Sequence, residues 1–137
     1  GAVSGDRRVG TDLDPVWVAW PYARIRREIR TESGEVTRFV MQLEYDLNAT
    51  LDGRGESDWR VVARFDHDPE EGQGHDVSDE GLHMDVYRNG EKYRRSWDFP
   101  TVELNDAPSY CQEYLRRRSD LLLSRFERWH QLSSPMR

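Results

Sequence analysis

Three of the four histidines, His67, His75 and His83, fall within seventeen residues of one another. They sit among eight carboxylates, Asp66, Asp68, Glu70, Glu71, Asp76, Asp79, Glu80 and Asp85, in a stretch that holds no Lys or Arg. Imidazole and carboxylate together suit two kinds of chemistry. They bind divalent ions such as Zn²⁺ or Mn²⁺, and here the donor set would be His67, His75, His83 and Asp85. A histidine beside a carboxylate is also a general acid–base pair, and an arginine nearby can stabilise a phosphoryl transition state. In that reading Asp66 and His83 carry the proton transfers, Asp85 assists, and Arg64 holds phosphate. RNA is a substrate such a group could cleave without a metal. The cofactor is therefore either none or a divalent ion. Against both stands the plain alternative that an acidic loop with scattered histidines is a solvated surface segment. His-x-Asp matches no standard metal signature.

Alternation of apolar and polar residues decides which of these side chains share a face. From Tyr22 to Phe99 the pattern has period 2, the mark of antiparallel strands. Ala23, Ile25 and Ile29 alternate with Arg24, Arg26, Glu28 and Arg30 before a Ser33-Gly34 turn. Phe39, Met41, Leu43, Tyr45 and Leu47 then line one side of a second strand. On the third, Trp59, Val61, Ala63 and Phe65 are expected inward, and Arg60, Arg64 and Asp66 outward. On the fourth, Leu82, Met84 and Val86 are expected inward, which turns His83, Asp85 and Tyr87 outward. If these last two strands pair, Arg64, Asp66, His83 and Asp85 share one exposed face, with His67 and His75 reaching it from the loop. Asn89-Gly90 predicts a tight hairpin, whose return strand would turn Tyr93 and Trp97 inward. Beyond it, Asn105 or Asp106 caps a helical pattern with Pro108 in its first turn. Its apolar stripe is Ala107, Tyr110, Cys111, Tyr114, Leu115, Leu121, Leu122 and Trp129. The expected fold is α+β: a curved antiparallel sheet of about five strands with one C-terminal helix, or two, packed on one face. Residues 1–15 read as a mobile tail, 16–132 as a single domain and 133–137 as a C-terminal tail.

Composition bounds the rest. A chain of 137 residues has room for one core. Its apolar fraction is only 36%, but five Trp, six Tyr and four Phe supply large buried surfaces. Cys111 is the single cysteine, so no intrachain disulfide forms. No apolar run is long enough to span a membrane and no signal-peptide pattern opens the chain, which makes the cytoplasm the expected location. Among the basic residues, Lys92 is the one lysine against nineteen arginines. Arg24, Arg26 and Arg30 on one strand, Arg94 and Arg95 after the hairpin, and Arg116–Arg118 on the helix form a second candidate surface, suited to phosphates. His130 reads as a cation at a helix C-terminus.

The runs FVMQLEYD at 39–46, WRVVARFDH at 59–67 and GLHMDVYRNGEKY at 81–93 resemble the small TumE-type toxins of prokaryotic toxin–antitoxin pairs, and related small proteins of haloarchaea and actinobacteria. In that pattern a strand ending Arg-aromatic-Asp precedes a His-x-His strand, a hairpin and a closing helix. The resemblance implies action on RNA or a nucleotide, a helix-turn-helix antitoxin as partner, and Arg64, Asp66 and His83 as the positions carried over. It departs in two ways: an acidic insertion separates the motifs, and Asp85 stands where the second histidine would be. The competing expectation is a non-enzymatic protein-interaction module that docks through the acidic segment 66–85 or the exposed strand face. Self-association stays open under either.

Overall fold

The structure, a computed structural model, describes residues 8–50, 52, 54–69, 77 and 81–133. Among these residues seven strands and two helices follow one another: β1 (Val9–Asp12), β2 (Val16–Ala19), β3 (Ala23–Glu32), β4 (Glu35–Asp46), β5 (Trp59–His67), β6 (Met84–Arg88), β7 (Glu91–Ser96), α1 (Ala107–Arg117) and α2 (Ser119–Trp129). All pairings are antiparallel, in the order β1-β3-β4-β5-β6-β7, with β2 also on β3. The class is the expected α+β; the strand count exceeds the expected five. The surplus is β1 and β2, which share the outer edge of the ten-residue β3. Residues 9–12, expected in a mobile tail, are held by that pairing and by the Ser33 N–H donating to the Arg8 carbonyl at 2.8 Å. Nothing in the run Val9-Gly10-Thr11-Asp12 announces a strand; the edge of β3 imposes it.

Both helices cover one face of the sheet. The core beneath them contains Ile25 from β3, Phe39, Met41 and Leu43 from β4, Phe65 from β5, Met84 and Val86 from β6, and Cys111, Leu115, Leu122 and Phe126 from the helices. Phe65 is met edge-on by Phe99 at 5.1 Å and by Tyr114 at 5.7 Å. Burial pushes the Cys111 thiol well up, which leaves it unreactive. Polar groups are admitted where they pair: the Tyr45 hydroxyl donates to Glu127 at 2.9 Å inside the core. The helical pattern breaks at Arg118, so α2 is rephased relative to α1. Phe126 and Glu127 face inward, while Leu121, expected in the stripe, is exposed. At the N-terminus of α1, Asp106 makes no side-chain cap. Asn105 instead accepts from the Val36 N–H at 2.8 Å and donates to Glu35 at 2.9 Å, tying the helix entrance to the β3–β4 hairpin.

Two departures from strict alternation matter for function. The β4–β5 ladder pairs Leu43 with Ala63 but Glu44 with Val61, leaving Val62 as a bulge. An extra residue reverses the facing of everything beyond it. Val62 and Ala63 both enter the core, and Trp59, expected inward, pairs with Asp46 on the open side. Tyr93 and Trp97, also expected inward, are each about half exposed. Tyr93 packs edge-on against Trp129 at the sheet margin, 5.0 Å between centroids.

Candidate functional site

The face of the sheet that the helices leave uncovered is built from β3, β4, β5, β6 and β7, and it carries the residues singled out for chemistry. Arg64 and Asp85 are direct cross-strand partners on β5 and β6. Because Leu82, Met84 and Val86 are buried in the core, His83 and Asp85 turn to this other side, as expected. Arg64 reaches Asp66 at 3.6 Å. Tyr87 belongs to the same group. Burial raises its phenol above the usual value; the carboxylates Asp85 and Asp66 add to that rise, and Arg64 and Arg95 oppose it.

These groups share a face, but they are not exposed as anticipated. Asp85 accepts from the Arg95 guanidinium at 2.8 Å and lies 3.5 Å from the Lys92 ammonium. His83 is buried against the Trp97 ring, 4.5 Å between centroids, with Nδ1 3.3 Å from the Gly81 carbonyl oxygen. His67 goes to the opposite face: it stacks on Phe39 and its Nδ1 accepts from the Val77 N–H at 3.0 Å. Strand alternation explains the separation, since His67 follows Asp66 directly. His75 and most of the acidic segment, including Glu70, Glu71, Asp76, Asp79 and Glu80, lie outside the described residues. The set His67, His83 and Asp85 therefore does not converge, and no three His, Cys, Asp or Glu side chains among the described residues could hold a metal ion.

What the open face does contain is a connected ionic layer. Arg24 donates to Glu44 at 2.9 Å, Gln42 donates to Glu44 at 2.7 Å, and Arg64 donates to Gln42 at 3.2 Å. Arg38 bridges Glu28 at 3.2 Å and Asp68 at 3.1 Å. The layer is polarised by depth. The side chains of Glu44, Asp66 and Asp85 are 8%, 9% and 2% exposed, whereas their partners Arg24, Arg64 and Arg95 are 25%, 30% and 35% exposed. Carboxylates lie against the sheet and guanidinium groups stand above them. A buried carboxylate demands a charged partner, and the length of arginine lets its head reach solvent while its stem covers the acid.

One corner of this face is aromatic. Trp17, the cross-strand partner of Arg24, lies 4.7 Å from Trp20 and 5.8 Å from Trp59. Arg24 stacks over Trp59 at 4.0 Å. These rings, with the loop after β4, enclose a cleft of about 240 Å³. Trp59, expected in the core, is thereby part of an aromatic cluster on the open side. His130, expected as a terminal cation, instead clips two elements. Its Nε2 accepts from the Asn89 N–H at 3.1 Å, so Nδ1 carries the hydrogen and donates to the Phe126 carbonyl at 2.8 Å.

An α+β domain with one helix-covered and one arginine-bearing sheet face is thus defined. The chain belongs to the family described as Domain of unknown function (DUF7718), whose model matches residues 16–132. No curated protein and no solved structure matches it. Among the described residues no helix is long and apolar enough to cross a membrane.

Proposed function

We propose that the domain binds a single-stranded phosphodiester chain, RNA in the first instance, across the open face of its sheet. The observation that carries this reading is the depth ordering of the ionic layer, with acids beneath and arginines above. Guanidinium groups held in place by one carboxylate keep further N–H donors for phosphate. A sheet face left open by both described helices, with aromatic side chains at the margin, is also a geometry that suits splayed bases. The net charge of -6 opposes long-range attraction, so binding rests on short-range contacts.

The test is fluorescence anisotropy of a labelled ten-nucleotide RNA across a salt series. With Arg24, Arg64 and Arg95 each neutralising one phosphate, log K falls against log[salt] with a slope of about -2. Arg64→Gln makes the slope shallower by about 0.7, with an unchanged circular dichroism spectrum. Absence of saturable binding at 50 mM salt overturns the reading.

A second reading, cleavage of the bound RNA by Asp66 and His83, is supported by their common face with Arg64 and by the toxin-like motifs. Total RNA incubated with the protein, with and without chelator, tests it alongside Asp66→Ala and His83→Ala. RNA left intact by every form removes this reading while the binding proposal stands.

A further inference from the structure

We infer that the cleft formed by Trp17, Trp20 and Trp59 is a nucleotide site: it stacks one base, and Arg54 holds the phosphate attached to that base. The inference rests on the RNA-binding reading for the class of ligand, and it supplies what that reading lacks, a place for a base.

An aromatic cluster open to solvent must first be explained. Trp17 is 43% and Trp20 57% exposed, and each fully buried indole would remove about 150–250 Å² from water. Leaving two such rings outside, beside a third, is costly unless something covers them. The rings meet edge-on and tilted, at 69° and 52°, and not as a closed stack. A planar group can therefore still lie against an indole face.

The cleft is also built and not incidental. Its far wall is the loop after β4, fixed by Asp46, whose Oδ1 accepts from the Asn48 N–H at 2.9 Å and the Asp58 N–H at 2.8 Å. Further along, the Thr50 hydroxyl donates to Asp52 at 2.8 Å, and the Arg54 N–H donates to the same carboxylate at 3.0 Å. The Arg54 backbone bond and then the Thr50 bond hold the Asp52 carboxyl below its usual range.

Charge selects the ligand. Aromatic clusters of this kind are often cages for quaternary ammonium groups, but here the face of Trp59 already carries the Arg24 cation at 4.0 Å. A second cation would meet that charge. Asp46 also lines the cleft and keeps its charge, but its Oδ1 is held by two backbone N–H groups at the loop wall. Arg54 lines the cleft and has no carboxylate partner among the described residues. The cleft thus presents ring faces beside an uncommitted positive charge, which is complementary to an aromatic anion. Its volume of about 240 Å³ falls just under the roughly 300–1,000 Å³ of sites that enclose a drug-sized molecule. One nucleotide fits; a dinucleotide would have to extend onto the arginine face.

The experiment is a titration of the protein with AMP, followed by quenching of tryptophan fluorescence. Saturable quenching is expected, and Trp20→Ala weakens it roughly 5- to 150-fold, the loss of one base–aromatic stack, whereas Trp20→Phe restores most of it. Adenosine binds more weakly than AMP, and Arg54→Gln brings AMP down to the level of adenosine. A ten-nucleotide adenine RNA distinguishes the two sources of this chemistry. Tighter binding than AMP assigns the cleft to a base within a strand, and equal binding assigns it to a free nucleotide. No saturable quenching by AMP, or displacement of AMP by choline, overturns the cleft as a nucleotide site even if RNA still binds through Arg64. Conversely, AMP quenching that persists in a protein showing no RNA anisotropy sinks the open-face reading and leaves the cleft.

Discussion

The two faces of the sheet are closed by different physics. On the helix side Phe39, Met41, Leu43 and Phe65 are sealed by Cys111, Leu115, Leu122 and Phe126. On the open side Glu44, Asp66 and Asp85 are nearly as inaccessible, but what covers them is arginine. Apolar packing is indifferent to what approaches from solvent. A layer of guanidinium groups is not, because each can exchange part of its contact with a carboxylate for a phosphate. The first face stabilises the fold; the second keeps charged groups in reach of solvent.

The contrast can be broken most severely from the helix side. Phe65→Ala removes a ring packed by Phe99 and Tyr114 and is expected to cost about 3–5 kcal/mol in urea denaturation; a loss under about 1 kcal/mol would contradict the assignment of this face as the stabilising one. On the open side, Asp85→Ala strips Arg95 and Lys92 of their shared carboxylate. Its expected cost is smaller, about 1–3 kcal/mol, because both cations can turn to water. If that variant unfolds as readily as Phe65→Ala, the two faces do not differ as described. His130→Ala, which frees the hairpin from α2, should cost roughly 0.5–1.5 kcal/mol, and hydrogen exchange should rise first at Asn89.

The smallest effect is a titration. The phenol of Tyr87 is held above its ordinary value of 10.0, first by burial and then by Asp85 and Asp66. A raised value means that the folded state favours the neutral form. The associated stability is complete below pH 10 and disappears as pH climbs through the folded value. Absorbance at 295 nm should show one late-ionising tyrosine that Tyr87→Phe removes; an unchanged alkaline limb would show that the ring is not under the open face's influence.

Much of this arrangement was legible because β-strands obey a period of two. The facing of Leu82, Met84 and Val86, and hence of His83 and Asp85, followed from alternation alone, and Asn89-Gly90 marked its hairpin. The same rule failed at Trp59, since a bulge shifts register without leaving a signature in residue types. It failed at β1 as well, where a neighbouring edge and not local propensity makes the strand. His67 leaves the shared face because it directly follows Asp66 on β5 and so has the opposite parity. The tryptophan cleft has no local signature, since Trp17, Trp20 and Trp59 come together only through β2–β3 pairing and the loop after β4. Two of them, Trp17 and Trp20, crowd Pro21 in sequence, but nothing local ties Trp59 to them.

The bulge at Val62 gives β5 two reading frames. Upstream of it, odd-numbered positions look to solvent; downstream, they look to the helices. A gap-free comparison of family members that runs across this point will equate positions of opposite environment whenever one chain has the extra residue and another lacks it. Indole and arginine would then appear to trade places with valine and phenylalanine, and a shift of geometry would be mistaken for a change of chemistry.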